Sequence, residues 1–242
     1  MSIVQRTLGR GPCAARRRRI AGVGLALLCM ADRGASAVAQ EKPPPTAAPP
    51  PAERSSTQPP PTVVPTEDTA GQRVQFHVNE GYTELRAGNV REAIAAFEHA
   101  IEAEPRDHRA RFGLGTALIS AGEFVRARDV LEALVRDFPD DYTVKNNLAW
   151  LYATAPDLRV RDGKKALAYA QEAVLLAPQD YHVWSTLAEA YYVNENYEQA
   201  LRAAMEALRL VRETTKETDL HKEYERQTEK CRLAVQALSI LE

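Results

Sequence analysis

From about residue 74 onward, apolar side chains return every three or four positions, the spacing of helices that bury one face. The helical stretches are also marked off at a fixed interval. Gly81, Gly115, Ala149 and Ala188 recur in step with Ala93, Ala127, Ala166 and Ala200, and with Pro105, Pro139 and Pro178. The step is 34 residues, except where five further residues fall between Ala149 and Ala166. A unit of that length holds two short helices, too few to bury an apolar face unless another unit stacks on it. The pattern therefore predicts an all-α solenoid of about four helix-turn-helix repeats in 73–214, at 74–107, 108–141, 142–180 and 181–214, with a C-terminal capping helix in 215–242.

Punctuation supports the division. Gly88-Asn89, Gly122-Glu123 and Glu195-Asn196 mark tight turns within units, and Glu104–Asp107 and Phe138–Asp141 close them, proline stopping one helix and aspartate capping the next. The extra residues of the third unit, within 154–165, include Pro156, Asp157, Asp162 and Gly163, a composition that lengthens a turn rather than a helix. In the last helix Leu220, Tyr224, Cys231, Val235 and Leu238 are the expected inward residues.

The N-terminal third has a different character. Ten of the fifteen prolines fall in 40–72, among Ala, Thr and Ser, which predicts an unfolded, partly stiff spacer. Before it, Arg16–Arg19 precede twelve mostly apolar residues, Ile20–Ala31, and then small residues ending at Ala39. This reads as a signal peptide over 1–39, cut after Ala39 or Ala37, and places the protein outside the cytoplasm, in the periplasm. The alternative is an uncleaved membrane anchor, although twelve helical residues reach only about 18 Å against a hydrocarbon core of about 30 Å. The first 39 residues contribute +6, so the remainder carries about −8 of the net −2, a balance that argues against nucleic acid as partner. Cleavage would leave Cys231 as the one thiol, excluding an internal disulfide; it either lies on the buried face of the last helix or pairs between chains.

The small residues at Gly81, Gly115, Ala149 and Ala188, those at Ala93, Ala127, Ala166 and Ala200, and the fillers Leu114, Leu118, Leu131, Leu148, Tyr152 and Leu187 resemble the tetratricopeptide repeat family over about 74–214. The string from Asn146 to Ala153 is similar to a bacterial variant of the repeat with a long turn. The resemblance implies a concave groove lined by the first helix of each unit. Its ligand places fall on Tyr82, Leu85 and Arg86; on Arg109, Phe112, Thr116 and Ile119; on Asn146, Asn147 and Trp150; and on His182, Ser185, Glu189 and Tyr192. Asn147 stands out among them, since an amide both donates to and accepts from a peptide backbone.

Catalytic and metal chemistry finds no such pattern. The five His residues (77, 99, 108, 182 and 221) lack the i, i+4 spacing of a helical metal pair, and no nucleophile elbow or phosphate loop is present. The expectation is a non-catalytic protein–protein interaction adaptor or scaffold of the cell envelope. It would bind a protein or peptide segment, with no cofactor, metal, nucleic acid or small-molecule substrate. Two alternatives stand beside it: a structural protein that self-associates as a homo-oligomer through its last helix, and an accessory part of an envelope secretion or pilus assembly machine.

Overall fold

The computed structural model describes residues 70–241; the expected signal peptide and nearly all of the expected spacer lie outside the described residues. Within them the regular elements are α1 (Ala70–Ala87), α2 (Val90–Ala103), α3 (His108–Ala121), α4 (Phe124–Asp137), α5 (Tyr142–Thr154), α6 (Gly163–Leu176), α7 (Tyr181–Val193), α8 (Tyr197–Thr214) and α9 (Thr218–Leu241), with no strand among the described residues. Helix α1 starts at Ala70, three residues ahead of the boundary read from the sequence.

Three of the four pairs, α1/α2, α3/α4 and α7/α8, are joined by turns with one left-handed residue: Gly88 (φ 83°), Gly122 (φ 80°) and Glu195 (φ 62°). The two glycines adopt this conformation without steric cost, and Glu195 does so against it. In the α5/α6 pair the added residues make a connection that is pinned inward. Ala155 and Val160 are buried, and the Asp162 backbone N–H donates to the Tyr152 carbonyl at 3.0 Å.

Successive pairs are joined by one repeated device, a proline followed two residues later by an aspartate. Asp107 accepts from the Ala110 N–H at 2.7 Å, Asp141 from those of Thr143 at 2.8 Å and Val144 at 3.2 Å, and Asp180 from that of His182 at 2.9 Å. Each carboxylate satisfies N–H groups that the first helical turn leaves unpaired, and its charge suits the positive end of the helix dipole.

Small residues set how closely the helices approach. A Cβ on Gly81 would stand 2.7 Å from the Phe97 ring, and one on Gly115 would stand 2.7 Å from Leu131. The resulting core runs along the array through Phe97, Leu118, Leu131, Leu148, Leu151 and Tyr152. A smaller cluster closes its start around Val74, Val78 and Ala110, and another its far end, where Tyr181, Leu210 and Val211 meet Leu220 and Tyr224 of α9.

Helix α9 is the one element whose inward face departs from expectation. Leu220, Tyr224 and Cys231 are buried, but Val235 is half-buried and Leu238 is 41% exposed. Register gives the reason. The Thr228 hydroxyl donates to the Ala204 carbonyl at 3.3 Å, and α8 begins at Tyr197, seven residues before Ala204. Running antiparallel, α9 leaves the flank of α8 near residue 235, and its last six residues extend about 9 Å further at a rise of about 1.5 Å each.

Candidate partner-binding groove

Residues nominated in the first two units sit partly inside the array. The Tyr82 ring is half-buried, packs edge-on against Phe97 at 5.0 Å, and donates its hydroxyl to the Arg109 carbonyl at 3.3 Å. Burial pushes its phenol up to about 12, against the pull of the Arg109 charge. The Arg109 guanidinium donates to Gln75 at 2.8 Å. These contacts fasten α1 to α3 while leaving both side chains partly open. Leu85, Phe112 and Ile119 are buried, and Arg86 is exposed.

Asn147 lies deeper than a groove residue should. It is 0% exposed, and its amide nitrogen donates to the Thr116 hydroxyl at 3.3 Å, which in turn donates to the Phe112 carbonyl at 3.0 Å. The asparagine therefore ties α5 to α3, and its Oδ1 is buried without a hydrogen-bond partner. Asn146 and Thr116 are also buried. Trp150, one turn along, is half-buried against the main core and keeps part of its ring in solvent.

In the fourth unit the nominated residues already have an occupant: α9 of the same chain. The Ser185 hydroxyl donates to Gln227 at 2.9 Å. The Gln227 amide donates to the Ser185 carbonyl at 3.0 Å and to Glu189 at 3.1 Å. Lys230 reaches the other Glu189 oxygen at 2.7 Å and stands 3.9 Å above the Tyr192 ring. His182 is buried, with Nδ1 2.8 Å from Asp180. The structure thus groups Tyr82 with Arg109, and Thr116 with Asn147, and places Ser185, Glu189 and Tyr192 under α9.

Gln227 and Lys230 were not singled out from the sequence. Polar residues in a charged helix read as solvated surface, and only the path of α9 brings them onto α7. Lys145 is a second such case: it is buried and ion-paired with Glu172. The described residues also include a cleft between α8 and α9, lined by Met205, Leu208, Arg212, Arg226 and Arg232 among others; none of the nominated groove residues borders it.

Among the described residues no group of three or more His, Cys, Asp or Glu side chains is arranged to hold a metal ion. No described helix is long and apolar enough to cross a membrane.

Comparison with known proteins agrees with this architecture. Residues 78–142 and 115–159 match the family described as tetratricopeptide repeat. Superkiller protein 3 of Schizosaccharomyces pombe is 30% identical over 115 residues, a match taking in 48% of this chain and 8% of that protein. Among solved structures, a thermophilic TPR protein of Thermus thermophilus superposes with a TM-score of 0.56 at 21% identity, over 67% of this chain and 82% of that one. The fragment of MamA from residue 41 to its end, from Desulfovibrio magneticus, superposes with a TM-score of 0.51 at 22% identity, over 69% of this chain and 98% of that one. Matched repeats, helix pairing and shared fold lead to one conclusion: the described array is an all-α solenoid of stacked helix pairs, and its residues 78–159 match the tetratricopeptide repeat.

Proposed function

We propose that this chain is a non-catalytic interaction scaffold of the cell envelope that holds a segment of a protein partner along the first helices of its repeats. Tetratricopeptide arrays are protein-binding surfaces in general, and the finer reading rests on one observation. The face formed by Ser185, Glu189 and Tyr192 already receives a helix, gripped through an amide at Gln227 and an ammonium at Lys230. Chemistry that seats one helix at the fourth repeat suits a further segment at the first three, where Tyr82, Arg109 and Trp150 remain partly open. Tryptophan, tyrosine and arginine are side chains that commonly dominate interface energies, and of these three only Tyr82 and Arg109 are in contact. They favour a partner segment with apolar residues and a carboxylate.

The envelope assignment is supported by the arginine cluster, the twelve-residue apolar run and the proline-rich stretch that precede the array, read as export signal and spacer. The reading is tested with a photoreactive residue at position 150, incorporated in living cells, with captured species identified by mass spectrometry. Capture of a distinct envelope protein, reduced by Arg109→Glu in a chain whose melting temperature is unchanged, is the expected result. Capture that Arg109→Glu leaves untouched, or of this chain alone, overturns the groove assignment.

A further inference from the structure

We infer that His77 and His99 form a two-ligand site for a divalent transition-metal ion of the zinc type, bridging the first helix pair. Their placement is the first observation. His77 lies on α1 and His99 on α2, and the packing of the two helices sets the imidazoles side by side, with ring centroids 5.2 Å apart and planes tilted by 54°. A histidine nitrogen sits about 2.0–2.1 Å from zinc, hence the ring centre about 3.2 Å from it, so two imidazoles on one tetrahedral ion have centres about 5 Å apart. The observed separation already matches, so α1 and α2 need not move for both rings to reach one ion.

The second observation is how His77 is held. Its Nδ1 lies 3.1 Å from Glu80 Oε2. An ionised carboxylate only accepts, so a neutral imidazole in this bond carries its proton on Nδ1 and leaves the lone pair on Nε2, the form that binds a metal. A carboxylate behind a ligating histidine fixes the tautomer, orients the ring and raises its basicity. The Phe76 ring stands edge-on to the same imidazole at 5.2 Å and further restricts it.

The third is availability. His99 is exposed and makes no hydrogen bond to the described residues, and the His77 side chain is 26% exposed, so an ion can enter from solvent. The other three histidines are engaged: His108 with Asp141, His182 with Asp180, and His221 with the Thr215 carbonyl.

This chemistry selects the ligand. Imidazole nitrogens suit zinc, copper and nickel, whereas magnesium and calcium take oxygen ligands. Two protein ligands fall short of a closed structural site, so water completes the coordination and binding is weaker than in a zinc finger. A bound ion would tie α1 to α2 and stabilise the first repeat by mass action. The site uses none of the nominated groove residues, and the inference does not depend on the groove reading.

The histidine ring resonances of the full chain, purified without a histidine tag and followed by NMR as Zn(II) is added to about 1 mM, test it. The signals of His77 and His99 should move together, those of the other three should not, and Mg(II) should move none. His99→Ala, which removes one ligand at an exposed position, should weaken zinc binding about tenfold or more at an unchanged melting temperature of the zinc-free chain. His99→Gln serves if alanine alters the fold. Glu80→Gln, which keeps both ligands, should weaken binding by a smaller factor. No shift up to the highest zinc concentration overturns the inference. So do shifts confined to His108, His182 or His221, or binding at His77 that His99→Ala leaves untouched.

Discussion

A Cβ on Gly113 would stand 2.3 Å from the Phe97 ring, so α3 lies where it does because residue 113 has no side chain. Alanine would raise the helix propensity of α3 by about 1 kcal/mol, but the overlap is with an aromatic ring held between α1 and α3. Gly113→Ala should therefore destabilise the array by about 1–3 kcal/mol. Phe97→Ala should cost about 3–5 kcal/mol. The double variant should cost less than the two added together, because the new methyl occupies part of the space the ring vacates. Urea denaturation of all four chains checks this; additive costs would mean that the two residues do not share the space.

Gly81 and Gly115 could be found in the sequence because they recur at the repeat step, whereas Gly113 could not. The matching positions in the other units hold Asn79, Asn147 and Thr186, so 113 obeys no periodic rule and answers only to Phe97. The same limit governs the groove. Periodicity says which face of α5 carries Asn147, but not that neighbouring helices seal that face and leave the amide to Thr116. It places Ser185, Glu189 and Tyr192 on one face of α7, but whether solvent or α9 covers them depends on where a later helix travels. Local rules, namely small residues at crossings, proline followed by aspartate, and glycine in turns, were legible because each acts within a few residues. Coverage is a tertiary property and left no local mark.

Glu195 holds a left-handed backbone (φ 62°) in the turn where the first two units use Gly88 and Gly122. Its Cβ makes that conformation costly, and the side chain is exposed, with no packing to lose. Glu195→Gly should stabilise the array by about 0.5–1 kcal/mol despite the larger backbone entropy of the unfolded chain. Thermal unfolding measures it. A lower melting temperature would mean that glycine's entropy outweighs the relief of strain.

Acid should act on the array through Asp141. Burial pushes this carboxyl upward, but hydrogen bonds involving His108 and Thr143 and from the Val144 N–H outweigh it and hold the group at about 2, below the usual value of 3.8. His108 Nε2 lies 2.6 Å from the carboxylate. A depressed folded value stabilises the fold above the unfolded pKa, and that contribution fades as pH falls from about 4 towards 2. The shift corresponds to about 2 kcal/mol. Asp141→Asn should therefore be less stable than the parent by about that amount at pH 5, and the gap should shrink to about a third of it at pH 2.5. Urea titrations at the two pH values decide; a gap that stays constant would place the contribution in the cap geometry rather than in the charge.

Cys231 offers a reporter for the docking of α9. The thiol is 1% exposed, and burial, with the nearby Glu189 carboxylate adding to it and Lys230 opposing, pushes it up to about 11. At pH 7.5 little thiolate exists in the closed state, and the reagent has no path to it, so a disulfide-exchange probe should react only when α9 lifts from α7 and α8. The rate then reads the free energy of that opening. Lys230 binds Glu189 and caps the Tyr192 ring, and as a half-exposed ion pair with a cation–π contact it should contribute about 1 kcal/mol or less. Lys230→Ala should accelerate labelling about two- to fivefold while far-ultraviolet circular dichroism stays unchanged. Leu220→Ala, which removes a buried anchor nearer the start of the same helix, should accelerate it more, because a lost core contact costs more than a surface pair. Equal rates in the parent and both variants would show that the thiol is reached by a local route, with α9 still seated on the groove residues of the fourth repeat.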